Sequence, residues 1–568
     1  MQGSIKEAFN VTYDKFLEEE EKGERPFLNY VIDELDKQRN NYNVFLIEAP
    51  TGYGKTLISA TIAYWNLIYG IKSIIAYPLI TIIEQHYKKF RNFLSKITNK
   101  EILGLRHMLN NQSVYLIKPV TLTTIDTLSL TFFGIPPEEI EKITKEGTSY
   151  GSLGHYFVAW ASIFFSDIVL DEVHLVADST KSINFMLTLA KVASMYDQKL
   201  FLLSATVPES LKKLISNHSK TLIIEFSEEK DKGNKGYSEF LNERRNKKYT
   251  TNIKGFQQED KFKEIKKLIE EKSYPRKLII FNKRDEAIGF YNYLNDDKAI
   301  ILHSHFTHID KKEKIEKIEE AEKKGEFLII STQSIEAGVS VSSNFLLTDI
   351  APLNSLIQRM GRFLRGTGKH EKEGEIYIWY DKDLINDGNR YYKVYNKNLT
   401  YETLKILKNT NQQINFHDPT NYKPIIDKIY ENYYNIDEKL TDNFINVFLN
   451  LELAPKEAVK LFFNMEGSFV RDSVLIPITW KEKINKFEED VIAINIHEFI
   501  ELLKKGMIKK VIIGDKLKDL SEVKMDTIRI DEEKLGKNIR YILIKIFRNN
   551  IDAFYANINY DPKKGLII

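Results

Sequence analysis

Cysteine is absent from all 568 residues, which excludes disulfides, iron–sulfur clusters and zinc ribbons. Net charge is also scarce. Lys+Arg 82 against Asp+Glu 80 leaves +2, so any nucleic-acid contact has to come from a local patch or groove. Long apolar runs are missing too. The most apolar window, Tyr156–Leu170, is interrupted by Ser162, Ser166 and Asp167 and is too short and too polar to span a bilayer. The first residues hold no apolar signal region, and Glu18–Glu21 is a charge run. No internal repeat or low-complexity tract occurs. The expectation is a soluble, cytoplasmic protein with no membrane partner, and roughly 150 residues per domain predicts three or four domains.

What is present centres on Ile47–Ile58, IEAPTGYGKTLI. Phe45, Leu46 and Ile47 read as the end of a buried parallel strand. Ala49, Pro50, Thr51, Gly52, Tyr53 and Gly54 then form a turn whose glycines expose backbone N–H groups. Lys55 and Thr56 open an apolar helix. Such a turn cradles phosphates: N–H groups and the helix N-terminus bind anionic oxygens, Lys55 reaches the outer phosphates, and the Thr56 hydroxyl can ligate Mg²⁺. The strict pattern has glycine where Ala49 stands; A-x-x-G-x-G-K-T is the variant common in superfamily 2 helicases.

Short apolar strands alternating with helices follow, which predicts a parallel α/β sheet. Ser73–Tyr77 and Val120–Thr124 are two of these strands. Ligands in such sheets sit at the carboxyl ends of strands, where Pro78, Thr81, Thr124 and Asp126 fall; alone, these four read as turn and cap residues. Ile168-Val169-Leu170 delivers Asp171-Glu172-Val173-His174. An apolar strand ending in adjacent carboxylates is costly unless they are used. Asp171 can hold Mg²⁺ through water, Glu172 can orient and deprotonate a water, and His174 can relay to the neighbouring motif. That motif, Ser204-Ala205-Thr206, follows the strand Lys199–Leu203.

Apolar periodicity fades between Ser227 and Lys254, which is read as a linker, and then the sheet pattern restarts. Predicted strands end at Asn282, at His303, at Thr332-Gln333-Ser334-Ile335-Glu336-Ala337-Gly338 and at Ala351-Pro352. His303, His305 and His308 do not read as a metal site, because neither cysteine nor a carboxylate pair completes one. In Gln358–Arg365, QRMGRFLR, continued helix would put Gln358, Arg362 and Arg365 on one face. Planar guanidiniums there would act as arginine fingers on a phosphate bound at the first domain.

Residues 25–385 together resemble the two RecA-like domains of a superfamily 2 helicase. The segments TQSIEAG, TDIAP and LIQRMGRFLR, with Leu302-His303-Ser304-His305-Phe306, resemble the CRISPR-associated helicase of type I systems, the Cas-three family. Tyr560-Asp561-Pro562 and Gly565-Leu566 resemble that family's closing motif. The implied fold class is α/β, two RecA-like parallel-sheet domains in tandem with a C-terminal α+β accessory domain. The boundaries are 1–24 lead-in, 25–226 first domain, 227–254 linker, 255–385 second domain, and 386–568 linker helices and accessory domain. Helices are expected over Val447–Phe463, and strands over Val474–Trp480, Val511–Gly514 and Tyr541–Phe547.

The resemblance implies an ATP-dependent, DExH-type helicase translocating 3′ to 5′ on single-stranded DNA, recruited by an RNA-guided CRISPR surveillance complex. By position, Ala49, Pro50, Thr51, Gly52, Tyr53, Gly54, Lys55, Thr56 and Gly338 serve ATP, while Thr56 and Asp171 serve Mg²⁺. Lys55, Asp171, Glu172, Gln358, Arg362 and Arg365 are the implied catalytic set. Pro78, Thr81, Thr124, Asn282, His303 and Thr332 are candidates for the DNA path. Two readings stay beside this one: a superfamily 2 RNA helicase or a translocase of another defence or repair system, and a nucleotide-gated DNA clamp without turnover.

Two departures from the family stand out. Ser340 occupies the place of its usual Asp after TQxxExG. A histidine–aspartate nuclease domain is not recognised; His417-Asp418 reads as a turn, so the nuclease is expected on a separate polypeptide. The purified chain, given ATP and Mg²⁺, Mn²⁺, Ni²⁺ or Co²⁺, is therefore expected to leave circular single-stranded DNA intact. Cleavage that tracks the pure protein and is lost in His417→Ala would refute this.

Overall fold

The computed structural model describes residues 4–19, 22–23, 26–50, 52–108, 110–137, 154–175, 179–225, 241–336, 338–365, 372–382, 394–409, 414–434, 436–449, 455–525 and 535–567. The chain forms two compact units, each assembled from separated segments. Residues 1–226 and 434–559 make the first, and residues 227–433 and 560–568 the second.

The first unit is built on β1 (Val44–Glu48), β2 (Lys72–Tyr77), β3 (Leu103–His107), β4 (Asn110–Asn111), β5 (Val120–Thr124), β6 (Ser166–Leu170), β7 (Leu200–Ser204) and β8 (Thr221–Glu225). Their order is β4-β3-β5-β2-β6-β7-β1-β8, parallel except where β4 turns back on β3. Continuous apolar runs such as FLI and IVL have no polar face to show water, so β1 and β6 are buried throughout. Each wholly buried Leu, Ile or Phe here contributes about 1.5–3 kcal/mol. The order places the ends of β1, β6 and β2 close to one another, and these carry the phosphate-binding turn, the acidic pair and Pro78.

The second unit holds β9 (Lys248–Phe256), β10 (Arg276–Ile280), β11 (Ile300–Leu302), β12 (Phe327–Ser331), β13 (Phe345–Asp349) and β14 (Glu373–Asp381) in the order β11-β12-β10-β13-β14-β9, all parallel. This corrects the linker reading of Lys248–Lys254. Those residues pair with β14 along the sheet edge, where one face can stay polar and no apolar run is required.

The stretch 386–568 is not one unit. Its helices Lys397–Asn409 and Pro419–Ile429 belong to the second unit, whereas residues 436–559 belong to the first. There β15 (Leu475–Thr479), β16 (Ile492–Asn495), β17 (Ile508–Ile513), β18 (Lys516–Asp519) and β19 (Ala553–Ala556) form a mixed sheet ordered β16-β15-β19-β17-β18. Tyr541–Phe547, expected as a strand, lies inside the helix Leu535–Asn549, and Ile539, Ile542, Leu543 and Ile546 make its buried stripe. The helical periodicity over Val447–Phe463 belongs to two helices, Glu438–Leu449 and Pro455–Asn464, the second opening on the proline. Phe444 and Phe448 pack on Phe133 and Phe132, with ring centroids 5.0 and 4.3 Å apart.

A two-stranded pair, β20 (Asn559–Asp561) and β21 (Gly565–Ile567), ends the described chain. Residues 560–567 seat on the second unit: Leu566 N donates to the His305 carbonyl at 2.9 Å and Lys314 Nζ to the Lys563 carbonyl at 2.9 Å. Gly565 has φ +80, and a Cβ there would lie 2.5 Å from His303 Cε1 and 2.6 Å from the His305 carbonyl oxygen. Gly565→Ala should therefore lift this hairpin, costing about 1–3 kcal/mol locally. Hydrogen exchange at Leu566 reads it; protection equal to wild type would refute the close fit.

Candidate nucleotide and nucleic-acid site

The turn after β1 leaves through Gly52, φ +83, and Gly54, φ +112, before the helix Lys55–Ile68 begins. Only glycine adopts such values without strain, and Gly54 caps the helix without a side chain. The first-turn N–H groups are thus open to an anion, and no acid occupies that turn. Thr51 lies outside the described residues. Tyr53 has its own task. Its hydroxyl accepts from Phe27 N at 3.2 Å and its ring packs on Phe27, which ties the turn to the helix Pro26–Gln38.

The acidic pair sits opposite. Lys55 Nζ lies 3.7 Å from Glu172 Oε1 and donates to the Ala49 carbonyl at 3.3 Å. Glu172 has φ +55, a left-handed conformation costing on the order of 1–2 kcal/mol. Asp171 is 1 % exposed and its Oδ1 accepts the Glu172 backbone N–H at 2.9 Å. Burial, and then the Glu172 charge, push the Asp171 carboxyl up to about 7, against the pull of Lys55 and that N–H. One lysine therefore does not balance two carboxylates. A divalent cation suits this excess, with Asp171 and the Thr56 hydroxyl as hard oxygen donors. No cluster of three His, Asp or Glu residues able to hold a metal exists among the described residues, so phosphate oxygens would have to supply further ligands.

His174 joins this pair to the next motif. Ser204 Oγ gives its proton to the Thr206 carbonyl at 3.0 Å, so His174 Nδ1, 3.0 Å from Ser204 Oγ, must be the donor. The same Nδ1 lies 3.4 Å from Glu172 Oε2. His174 thus stands between Glu172 and Ser204, near the first and hydrogen-bonded to the second. On the other side His86 Nε2 lies 3.4 Å from Thr56 Oγ1.

Two residues below the turn escaped the sequence reading. Glu48 ends β1; its Oε1 accepts from Val207 N at 3.1 Å and its Oε2 pairs with Lys212 Nζ at 2.7 Å. Lys212 also reaches Glu209 at 2.9 Å and Glu225 at 2.6 Å; against the cost of burial, these acids hold its ammonium well above the usual lysine range. The cluster pins the base of the turn to the loop after Ser204-Ala205-Thr206. A buried Glu immediately before Ala49 was the available signal.

Of the candidates for a nucleic-acid path, Pro78 and Thr124 end the neighbouring strands β2 and β5, and Thr81 lies in the first turn of the helix Ile80–Ser95. Thr124 also caps the helix Ile125–Phe132, accepting from Thr127 N at 3.1 Å.

In the second unit, the single helical face expected for Gln358, Arg362 and Arg365 does not exist. The helix Leu353–Met360 stops because the next residues pair with Ser343: Ser343 N donates to the Arg362 carbonyl at 2.8 Å and Leu364 N to the Ser343 carbonyl at 2.9 Å. Arg362 is buried and donates to the carbonyls of Ile335 at 3.0 Å and Glu336 at 2.8 Å, while Arg365 is exposed. Gln358 is buried and its Nε2 has no partner among the described residues.

The arginine at the centre is one the sequence reading passed over. Arg359, wholly buried, donates to Glu336 Oε1 at 2.8 Å, Thr348 Oγ1 at 2.8 Å, the Asp349 carbonyl at 2.9 Å, Asn282 Oδ1 at 2.8 Å and Tyr395 Oη at 2.9 Å. It thereby cross-links three of the segments singled out by sequence. Asn282, a path candidate, is buried, since Arg359 takes its Oδ1 and its Nδ2 donates to the Ile350 carbonyl at 2.7 Å. His303 is 0 % exposed, stacks on Phe306 and bonds through Nε2 to the Lys564 carbonyl at 2.8 Å. Both are spent inside the unit and are withdrawn from the path. Thr332 is also buried, Gly338 has φ +73, and Ser340 is exposed.

Residues 29–214 match the DEAD/DEAH box helicase family, and residues 274–368 match the C-terminal region of the CRISPR-associated nuclease/helicase Cas3. In these two stretches the chain is similar to DEAD/DEAH box helicases and to Cas3. The Cas3 nuclease/helicase of Methanocaldococcus jannaschii is 25 % identical over 438 residues, covering 68 % of this chain and 55 % of that protein. The CRISPR-associated helicase Cas3 of Thermoproteus tenax is 25 % identical over 351 residues, covering 59 % of this chain and 56 % of that one. The chain thus spans little more than half the length of these relatives. The crystal structure of T. fusca Cas3 shares the fold, with TM-score 0.62 and 14 % identity, covering 100 % of this chain and 72 % of that one. No described helix is long and apolar enough to cross a membrane.

Burial holds His86 and His174 down at about 4, His303 at about 3, and His417 well below 6.5. Between pH 6.5 and about 4 the unfolded chain binds protons that these rings refuse. The share of stability these rings supply is therefore fully present above pH 6.5 and falls as the pH drops, by on the order of 1–2 kcal/mol for each of His86, His174 and His303 by pH 5, and Asp171, which takes up a proton more readily in the folded chain, offsets only part of that sum. Urea midpoints at pH 7 and 5 check this; a midpoint unchanged or higher at pH 5 would refute it.

Proposed function

We propose that this chain is a Cas3-family, ATP-driven helicase that moves 3′ to 5′ along single-stranded DNA in type I CRISPR interference. The observation carrying the proposal is the buried, charge-unbalanced group of Lys55, Asp171 and Glu172 facing an N-terminally open helix. Lys55 and the first-turn N–H groups hold the outer phosphates. Glu172, directed by its left-handed backbone, accepts a proton from the attacking water. Asp171 and Thr56 hold Mg²⁺, which when bound neutralises charge on the phosphate oxygens. The contacts of His174 with Glu172 and Ser204 carry the state of the phosphate site toward the next strand.

The partners we assign are an RNA-guided surveillance complex and a nuclease on a separate polypeptide. One solved relative in fold, TM-score 0.58 at 14 % identity, comes from a "CRISPR RNA-guided surveillance complex, pre-nicking".

Lys55→Ala and Glu172→Gln are each expected to lower DNA-stimulated ATP turnover by about 100-fold or more, with Glu172→Gln still binding ATP. Near-normal hydrolysis by either variant would defeat the assignment. Stimulation by RNA but not DNA would move the substrate to RNA. ATP binding without turnover in the wild-type protein would make the chain a nucleotide-gated clamp.

A further inference from the structure

The segment 465–473, which follows the helix Pro455–Asn464, is fastened to the first unit's parallel-sheet domain at several points. Phe469 is wholly buried with its ring 4.4 Å from that of Phe133. Lys181 Nζ donates to the Met465 carbonyl at 2.8 Å, Ser182 Oγ donates to the Val470 carbonyl, and Ser179 Oγ reaches Asp472 at 3.2 Å. The backbone N–H groups of Val470 and Arg471 both donate to Ser468 Oγ.

All of this aims one side chain. Arg471 Nε lies 2.7 and 2.9 Å from the two Asp126 carboxylate oxygens, and Nη2 donates to the Pro78 carbonyl at 2.5 Å. The guanidinium thus bridges Pro78, which follows β2, and Asp126, two residues past the end of β5, close in sequence to Thr124 and Thr81. Its remaining donors, Nη1 and the second Nη2 proton, have no partner among the described residues, and the side chain is still 39 % exposed. A guanidinium fixed on one edge and open on the other is a preorganised fork for a phosphate oxygen. It also offsets the Asp126 charge, which would otherwise repel a polyanion at this spot.

We propose that Arg471, supplied by the C-terminal part of the first unit, is a phosphate-binding residue of the single-stranded DNA path at the ends of β2 and β5. This deepens the function proposed above and rests on it. Arg471 thereby adds a fixed cation to Pro78, Thr81 and Thr124. Asp126 holds the guanidinium in place and does not itself face the strand.

The test is the salt dependence of binding of a fluorescein-labelled oligo(dT) to the full chain, measured by anisotropy. Removing one phosphate contact to a single strand lowers the log–log slope by about 0.7. Arg471→Ala is expected to show that loss together with about tenfold weaker binding at low salt. Arg471→Lys, which keeps the charge, should retain most of the slope. Asp126→Asn, which removes the carboxylate but leaves the cation, should keep the slope. Arg471→Gln replaces the alanine variant if that one unfolds. An unchanged slope in Arg471→Ala, or an equal loss in Asp126→Asn, would make Arg471 a strut between two loops and overturn this assignment alone. Failure of the wild-type chain to bind the oligonucleotide would overturn both this assignment and the function it rests on.

Discussion

Two adjacent carboxylates at the end of a fully buried strand, with Lys55 beside them, set the constraint around which the first unit is arranged. Carboxylates in that position are expensive, and the apolar strand Ile168–Leu170 cannot solvate them. The surroundings respond locally. Glu172 takes a left-handed backbone, His174 gives its Nδ1 proton to Ser204, and Asp171 draws on the backbone of its neighbour. None of these cancels the charge. The site is consequently poised for a ligand that brings positive charge and phosphate oxygens together, and binding such a ligand relieves a cost the protein already carries.

The second unit handles a buried charge in the opposite way. Arg359 is surrounded by Glu336, Thr348, Asn282, Tyr395 and a backbone carbonyl, which together saturate its guanidinium. Losing one partner of so complete a network strands the others, so its function is to fix the relative positions of three strand ends. The contrast separates residues that wait for a ligand from residues that hold the frame.

Much of this was legible in the sequence. The strand Val120–Thr124 was read at its observed bounds, and strands were placed just before Thr332 and Ala351 where they occur, because parallel strands buried on both faces appear as short unbroken apolar runs. The turn Gly52–Thr56 and the pair Asp171-Glu172 were legible because their chemistry is local in sequence. What was missed depends on distant partners. Edge strand β9 has no apolar run to announce it. The helix before Arg362 ends because of Ser343, and His303 is covered by Lys564, 261 positions further along the chain. Tyr541–Phe547 was misassigned because a short β-branched and aromatic run fits a strand as well as a helix until its flanks are counted.

The hairpin at residues 560–567 has a further consequence, for the order in which the protein can be made. Neither unit is a continuous stretch of chain. The first needs residues up to 559 to complete it, and the second needs the hairpin that closes over His303. During synthesis the sheets of both units are exposed long before their closing segments emerge, so the usual sequence in which an N-terminal domain finishes folding first is denied to this chain. Its two halves must mature together and late, and the nascent protein passes through a long interval in which apolar surface destined for the interior, such as that around Phe133 and Phe306, has nothing of its own to cover it.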